Sequence, residues 1–164
     1  MDRKLGFTLI ELLVTMTIVV ILIAFGVVGL RNSQITGRDD QRKNDIAVIA
    51  QHLENYYRSG STTSTGGRYP PTASMGSEPT ILTTLRDIEP AVLRAPGVGD
   101  SEGVSLKMAI NTSVPAPDTS TYMYQPLQSN GALCVAIDSE CRKFNLFYKL
   151  ESSNDVQKIN SKHQ

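Results

Sequence analysis

Glu11 is the residue with the most chemistry to offer. It lies near the start of an apolar run over residues 6–30, which reads Gly-Phe-Thr-Leu-Ile-Glu-Leu-Leu and then Val, Ile, Leu, Met and Ala almost without interruption. An acid at membrane depth costs about 2.5 to 3.5 kcal/mol on insertion scales, so a plain anchor would do better with Leu or Ala. The residues before it suggest a partner. Met1-Asp2-Arg3-Lys4-Leu5-Gly6 is a short basic leader, and cleavage after Gly6 would start a new chain at Phe7, four residues from Glu11. On a helix those two positions share a face. The new amine titrates near 8 and is cationic at neutral pH. At about 4 Å and an effective dielectric near 20, it would attract the carboxylate by roughly 4 kcal/mol before desolvation.

These groups need an element to position them, and the run itself supplies it. As a helix of about 24 residues it reaches roughly 36 Å, enough to cross a hydrocarbon core of about 30 Å. Two simpler readings compete. A secretory signal would use Arg3 and Lys4 as its basic start and Ala24-Phe25-Gly26 as its cleavage region, leaving a soluble chain that begins at Val27; Glu11 is badly placed inside such an apolar region. A plain single-pass anchor tolerates Glu11 near the headgroups but leaves Gly6-Phe7 without a purpose.

The order Gly6-Phe7-Thr8-Leu9-Ile10-Glu11-Leu12-Leu13 behind a basic leader resembles the N-terminal signature of type IV prepilins and pseudopilins, a class III signal peptide with an N-terminal methylation motif. The resemblance implies that a prepilin peptidase cuts after Gly6 and methylates the amine of Phe7. It implies that Glu11 pairs with the N-terminus of a neighbouring subunit during filament assembly. The implied partners are other copies of the chain in a helical filament, the peptidase, an assembly ATPase, membrane platform proteins and membrane lipid. The implied location is the cytoplasmic membrane, as a single-pass protein, before assembly, and an extracellular filament or periplasmic pseudopilus afterwards.

The rest of the chain divides by period and composition. Residues 1–6 are the leader, 7–30 the transmembrane and assembly helix, and 31–59 its amphipathic continuation. In that continuation Ile46, Ile49, Leu53 and Tyr56 recur at helical spacing, and Gly60 ends the helix. Gly26, Gly29 and Gly37 are its weak points, each costing about 1 kcal/mol relative to Ala. Residues 59–67 form a Ser/Thr/Gly linker, and Ser77 caps a short helix that runs toward Pro90 with Ile81, Leu82, Leu85 and Ile88 on one face. From residue 104 the period changes to two, predicting strands over 104–110, 122–127, 133–137 and 144–150 with Asn130-Gly131 and Asp138-Ser139-Glu140 as turns. The expected fold is α+β and pilin-like, a long N-terminal helix packed on a small antiparallel sheet. Residues 60–151 form the globular head together with 46–59, and 152–164 are a loose polar tail.

Other chemistry is sparse. Cys134 and Cys141, the two cysteines, are candidates for a short disulfide outside the membrane, and without a His cluster they do not indicate zinc. No cofactor or metal is expected, although Glu151, Asn154 and Asp155 hold oxygens of the kind calcium uses. His52 and His163 lie apart from any Ser or Cys motif and read as surface or packing residues, and Gly97-Val98-Gly99 as a turn. The formal net charge of +0 gives no reason to expect direct nucleic-acid binding. Arg38, Arg42 and Lys43 alternate with Asp39, Asp40 and Asp45 and read as a solvated helix face. The expected role is a structural subunit of a type IV pilus-like filament, not an enzyme. The alternatives are a type II secretion pseudopilin, a minor DNA-uptake pilin or, in another class, a membrane-tethered binding domain or enzyme.

Overall fold

The computed structural model describes residues 8–60 and 66–163. The central part of the Ser/Thr linker, residues 61–65, lies outside them. Two compact units are present, 1–37 and 38–164, and helix α1 (Leu9–Ser59) contributes residues to both. The α+β class and the long N-terminal helix agree with the sequence reading.

In the second unit α1 turns amphipathic, and Ile46, Ile49, Leu53 and Tyr56 are buried in one core with Tyr69, Ile81, Leu85, Tyr122, Tyr124, Phe144 and Leu146. Gly60 closes the helix as expected: it adopts φ +70°, and its N–H donates to the Tyr56 carbonyl at 2.7 Å. Gly66 is required for a different reason, since a Cβ there would lie 2.7 Å from the Arg58 carbonyl oxygen.

The sheet has the order β1-β2-β3-β4, made of β1 (Leu106–Met108), β2 (Tyr122–Gln128), β3 (Cys141–Lys149) and β4 (Val156–Asn160). It is mixed rather than wholly antiparallel. β1 runs parallel to β2, and residues 109–121 make the crossover that a parallel pair needs. The segment 133–137 is not a strand and touches β2 through the single bridge Leu127↔Leu133. Its carbonyls are used elsewhere, because the Thr72 and Ala73 amides donate to those of Cys134 and Val135 at 3.0 and 3.1 Å. Cys134 and Cys141 are joined as a disulfide with their Cα atoms 5.7 Å apart. The second helix, α2 (Glu78–Thr84), is capped by Ser77 but stops short of Pro90, since Leu85 leaves the helical region with ψ 75° and Asp87 then takes φ +61°.

The largest correction concerns the tail. Residues expected to be loose supply β4, which pairs antiparallel with β3. Residues 161–163, beyond β4, are also tied down. The Ser161 amide donates to the Phe144 carbonyl and the Lys162 amide to Glu54, while His163 stacks on Tyr57 at 4.4 Å with its Nε2 3.6 Å from Glu54.

The charged segment 38–45 is also not a solvated face. Asp39, Arg42 and Asp45 are buried, and only Asp40 and Lys43 behave as expected, pairing at 3.0 Å on the surface. Arg42 joins four parts of the chain: its guanidinium donates to Thr119 O at 2.9 Å, Asp39 at 3.0 Å, Glu151 at 2.7 Å and Pro96 O at 3.5 Å. Asp39 also accepts from the Glu151 and Ser152 amides at 2.8 and 3.0 Å. Glu151, considered above as a calcium ligand, is thereby committed to Arg38 and Arg42. Among the described residues no group of three or more His, Cys, Asp or Glu could hold a metal.

These contacts set the ionisation of the clasp. Hydrogen bonding from Arg38 brings the Glu151 carboxyl down to about 2, against the cost of burial and with help from Arg42. Burial opposes the charge on Asp39, but the hydrogen bonds around Ser152 and Glu151, together with Arg42, leave it below its ordinary value. Burial pushes Asp45 up to about 6, despite the hydrogen bond from Tyr122 and the attraction of Arg42.

The head should respond measurably to three changes. Arg42→Ala removes the one cation on buried Asp39 and leaves Glu151 to Arg38 alone, and it should cost about 3 kcal/mol in urea unfolding, more than Arg38→Ala at the wetter end of the same cluster. Replacing both cysteines by Ala should cost about 2 to 3 kcal/mol by releasing a short loop. The pH profile should peak. Glu151 has a lowered pKa, so its contribution is complete above about 4.5 and is lost as pH falls toward about 2. Asp45 has a raised pKa, so stability falls as pH rises from about 4 to about 6. Unfolding midpoints, followed by near-UV circular dichroism of the tyrosines, should therefore be highest near pH 4 to 5. Glu151→Gln should flatten the acid limb and Asp45→Asn the neutral one.

Candidate assembly site

The site is the start of α1. Helix begins at Leu9 because Thr8 caps it: the Glu11 amide donates to the Thr8 hydroxyl oxygen at 3.3 Å, and the Leu12 amide to the Thr8 carbonyl at 3.2 Å. The Thr8 hydroxyl in turn donates to a Glu11 carboxylate oxygen at 3.5 Å. Glu11 is thus the third helical residue, at the end of a Thr-x-x-Glu cap, where its charge also faces the positive end of the helix dipole. Its carboxylate is exposed and keeps acceptor positions open for a cation from outside the chain.

Within the first unit, the described side chains of residues 9–30 are all exposed. Leu9 is 83% exposed, Val20 66% and Phe25 75%. The helix is long and apolar enough to cross a membrane, and none of its most apolar 18-residue window is buried. Its polar atoms are satisfied internally: the Thr15 hydroxyl donates to the Leu12 carbonyl, and that of Thr17 to Leu13 and Val14, at 2.8 to 2.9 Å. A helix that closes all its own hydrogen bonds can be solvated by lipid or by other helices. A Cβ added at Gly26 or Gly29 would meet nothing within 4 Å beyond the helix's own backbone and chain neighbours. Nothing inside the unit calls for a glycine at either position.

Of the residues expected to act here, Glu11 lies in the first helical turn, while Gly6 and Phe7 lie outside the described residues. Cys134 and Cys141 belong to the second unit. Thr8 was overlooked as a positioning residue, although the Thr8-Leu9-Ile10-Glu11 spacing is itself the signal for a cap.

No curated protein and no solved structure matches the chain. Residues 1–27 match the family model described as the prokaryotic N-terminal methylation motif. That stretch contains the leader, the Gly6-Phe7 junction, the capped turn with Glu11 and most of the uncovered apolar helix. The chain carries the class III signal peptide of type IV pilin and pseudopilin precursors.

Proposed function

We propose that the protein is a structural subunit of a type IV pilus-like filament. It is stored in the membrane through residues 7–30, cut after Gly6 and methylated at Phe7. It then polymerises through its N-terminal helix. The observation that carries this reading is an apolar helical stretch left exposed among the described residues, opening on an exposed carboxylate within a matched methylation motif. A simple anchor accounts for the apolar surface but not for the acid.

The energetics divide between two kinds of contact. Lipid tails are as apolar as Leu, so moving the helix from lipid to neighbouring helices gains little from the hydrophobic effect itself. Association rests on close packing and on lipid entropy. Those terms have no strong preference for one axial position over another. The pair between Glu11 and the Phe7 amine of a neighbouring copy has such a preference, because a slipped register buries both charges alone. Packing supplies cohesion and the ion pair sets the register. Before assembly the Thr8 hydroxyl holds the Glu11 carboxylate at 3.5 Å, a weak tie that a cationic amine can replace.

Two measurements test the proposal. The N-terminal peptide of the protein from its native cells should begin at Phe7 and carry one added methyl group. A peptide beginning at Met1 would instead mark a permanent anchor, and one beginning at Val27 a secreted domain. Glu11→Ala should leave membrane insertion and cleavage intact and abolish or strongly reduce filaments in sheared surface fractions. Filaments at normal yield from that variant would remove Glu11 from assembly.

A further inference from the structure

We infer that the outer edge of β1 in the second unit is a docking site for an extended segment of another protein, one in which apolar side chains alternate with carboxylates. β1 is a terminal strand of the sheet. In a parallel ladder, alternate residues of a strand bond the same neighbour. The Tyr122 amide donates to the Ser105 carbonyl at 2.9 Å, and the Ala109 amide donates to the Tyr124 carbonyl at 2.8 Å. Ser105, Lys107 and Ala109 therefore direct their backbone groups to β2, and Leu106 and Met108 direct theirs outward. Among the described residues those outward amides and carbonyls have no partner.

The same edge carries part of the exposed apolar surface of the unit. Among the described residues from 38 onward, the exposed large hydrophobics are Ile110, Val114, Val135 and Ile137, and all four lie on two loops. Ile110 and Val135 line one groove of about 620 Å³ with Met75, Leu106, Lys107 and Met108. Both loops are held in place. Gln125 donates to the carbonyls of Asn111 and Ser113 at 3.0 and 2.9 Å, and the other loop is closed by the Cys134–Cys141 disulfide and by the bond from the Ala73 amide to Val135. A strand entering here would order little that is not already ordered, which favours binding.

Charge identifies the occupant. Lys107 is the one charged residue in the groove lining, and it is exposed in the middle of the edge. A segment with a carboxylate opposite it and apolar side chains toward Ile110 and Val135 complements both features. A second copy does not. The opposite edge of the sheet, β4, carries Lys158 at its centre and would bring like charges together. Outside the loops that carry Ile110, Val114, Val135 and Ile137, no large hydrophobic is exposed among the described residues from 38 onward to meet the groove.

The test uses the full chain in detergent micelles with an acetylated, amidated peptide Val-Glu-Val-Glu-Val, and its counterpart with Lys for Glu. Amide exchange is read residue by residue by NMR. The acidic peptide should slow exchange at Leu106 and Met108 and bind about tenfold more tightly than the basic one, a difference of about 1.4 kcal/mol. Lys107→Glu, an exposed change that leaves the core intact, should reverse the preference. Three results would overturn the proposal. One is no slowing at Leu106 and Met108 with either peptide at millimolar concentration. Another is slowing confined to β4. The last is slowing that grows with protein concentration in the absence of peptide, which would give the edge to a second copy.

Discussion

An apolar helical surface that no described residue covers is the constraint on which the other features depend. Residues 9–30 satisfy every requirement of a helix internally, down to the hydroxyls of Thr15 and Thr17, and bury none of their described side chains. Such a segment can persist only where something else covers it. Lipid is one cover and a bundle of like helices is another, and the two differ little in apolar free energy. Exchange between them is therefore open to control by a single polar contact. Glu11 sits in the first turn of the helix, the one place where a carboxylate is stabilised by a cap and by the helix dipole while remaining available to a cation.

The second unit meets the opposite requirement, since it must hold itself together without help. It does so with a shared core under the Ile46, Ile49, Leu53 and Tyr56 stripe and with polar clasps at two places. Arg42 gathers Asp39, Thr119 and Glu151, while Glu54 gathers Tyr69, Lys162 and His163. In both clasps a helix residue bonds to segments far away in sequence. The Arg42–Glu151 contact spans 109 residues and the Glu54–Lys162 contact 108. Neither is favourable merely because charges meet, since burying them costs several kcal/mol that the hydrogen bonds must offset. Their effect is to allow only one placement of the chain's end on the helix.

That long reach explains what could be read from the sequence. The motif at Gly6, Phe7 and Glu11, the span, the buried stripe and the Gly60 stop are local patterns, and each was legible. Asp39, Arg42 and Asp45 read as solvated because their alternating signs look self-neutralising, while the groups that bury them lie beyond residue 95. β4 escaped notice for a related reason: Val-Gln-Lys-Ile-Asn has little apolar content, and its place is fixed by backbone bonds to β3 rather than by its own pattern. The segment 133–137 erred in the other direction. Its β-forming residues are real, but the Thr72 and Ala73 amides take the carbonyls of Cys134 and Val135 that a ladder would need, and the disulfide ties Cys134 to the start of β3. The parallel direction of β1 was also hidden, since alternation gives the face of a strand and says nothing about its direction.

The misread segment and the site are linked by the same physics. Charges first become frequent in α1 at residues 38–45, where the helix passes from the first unit to the second. Upstream of that point, among the described residues, Glu11 is the single acid and has only Thr8 as a side-chain partner. Downstream, buried charges are always met: Asp39 by Arg42 and two amides, Asp45 by Tyr122, Glu54 by Tyr69 and Lys162. Within one helix, then, a carboxylate with several partners belongs to a finished fold. A carboxylate with only a capping threonine keeps its acceptors free, and in an apolar setting that leaves its remaining stabilisation to come from another molecule.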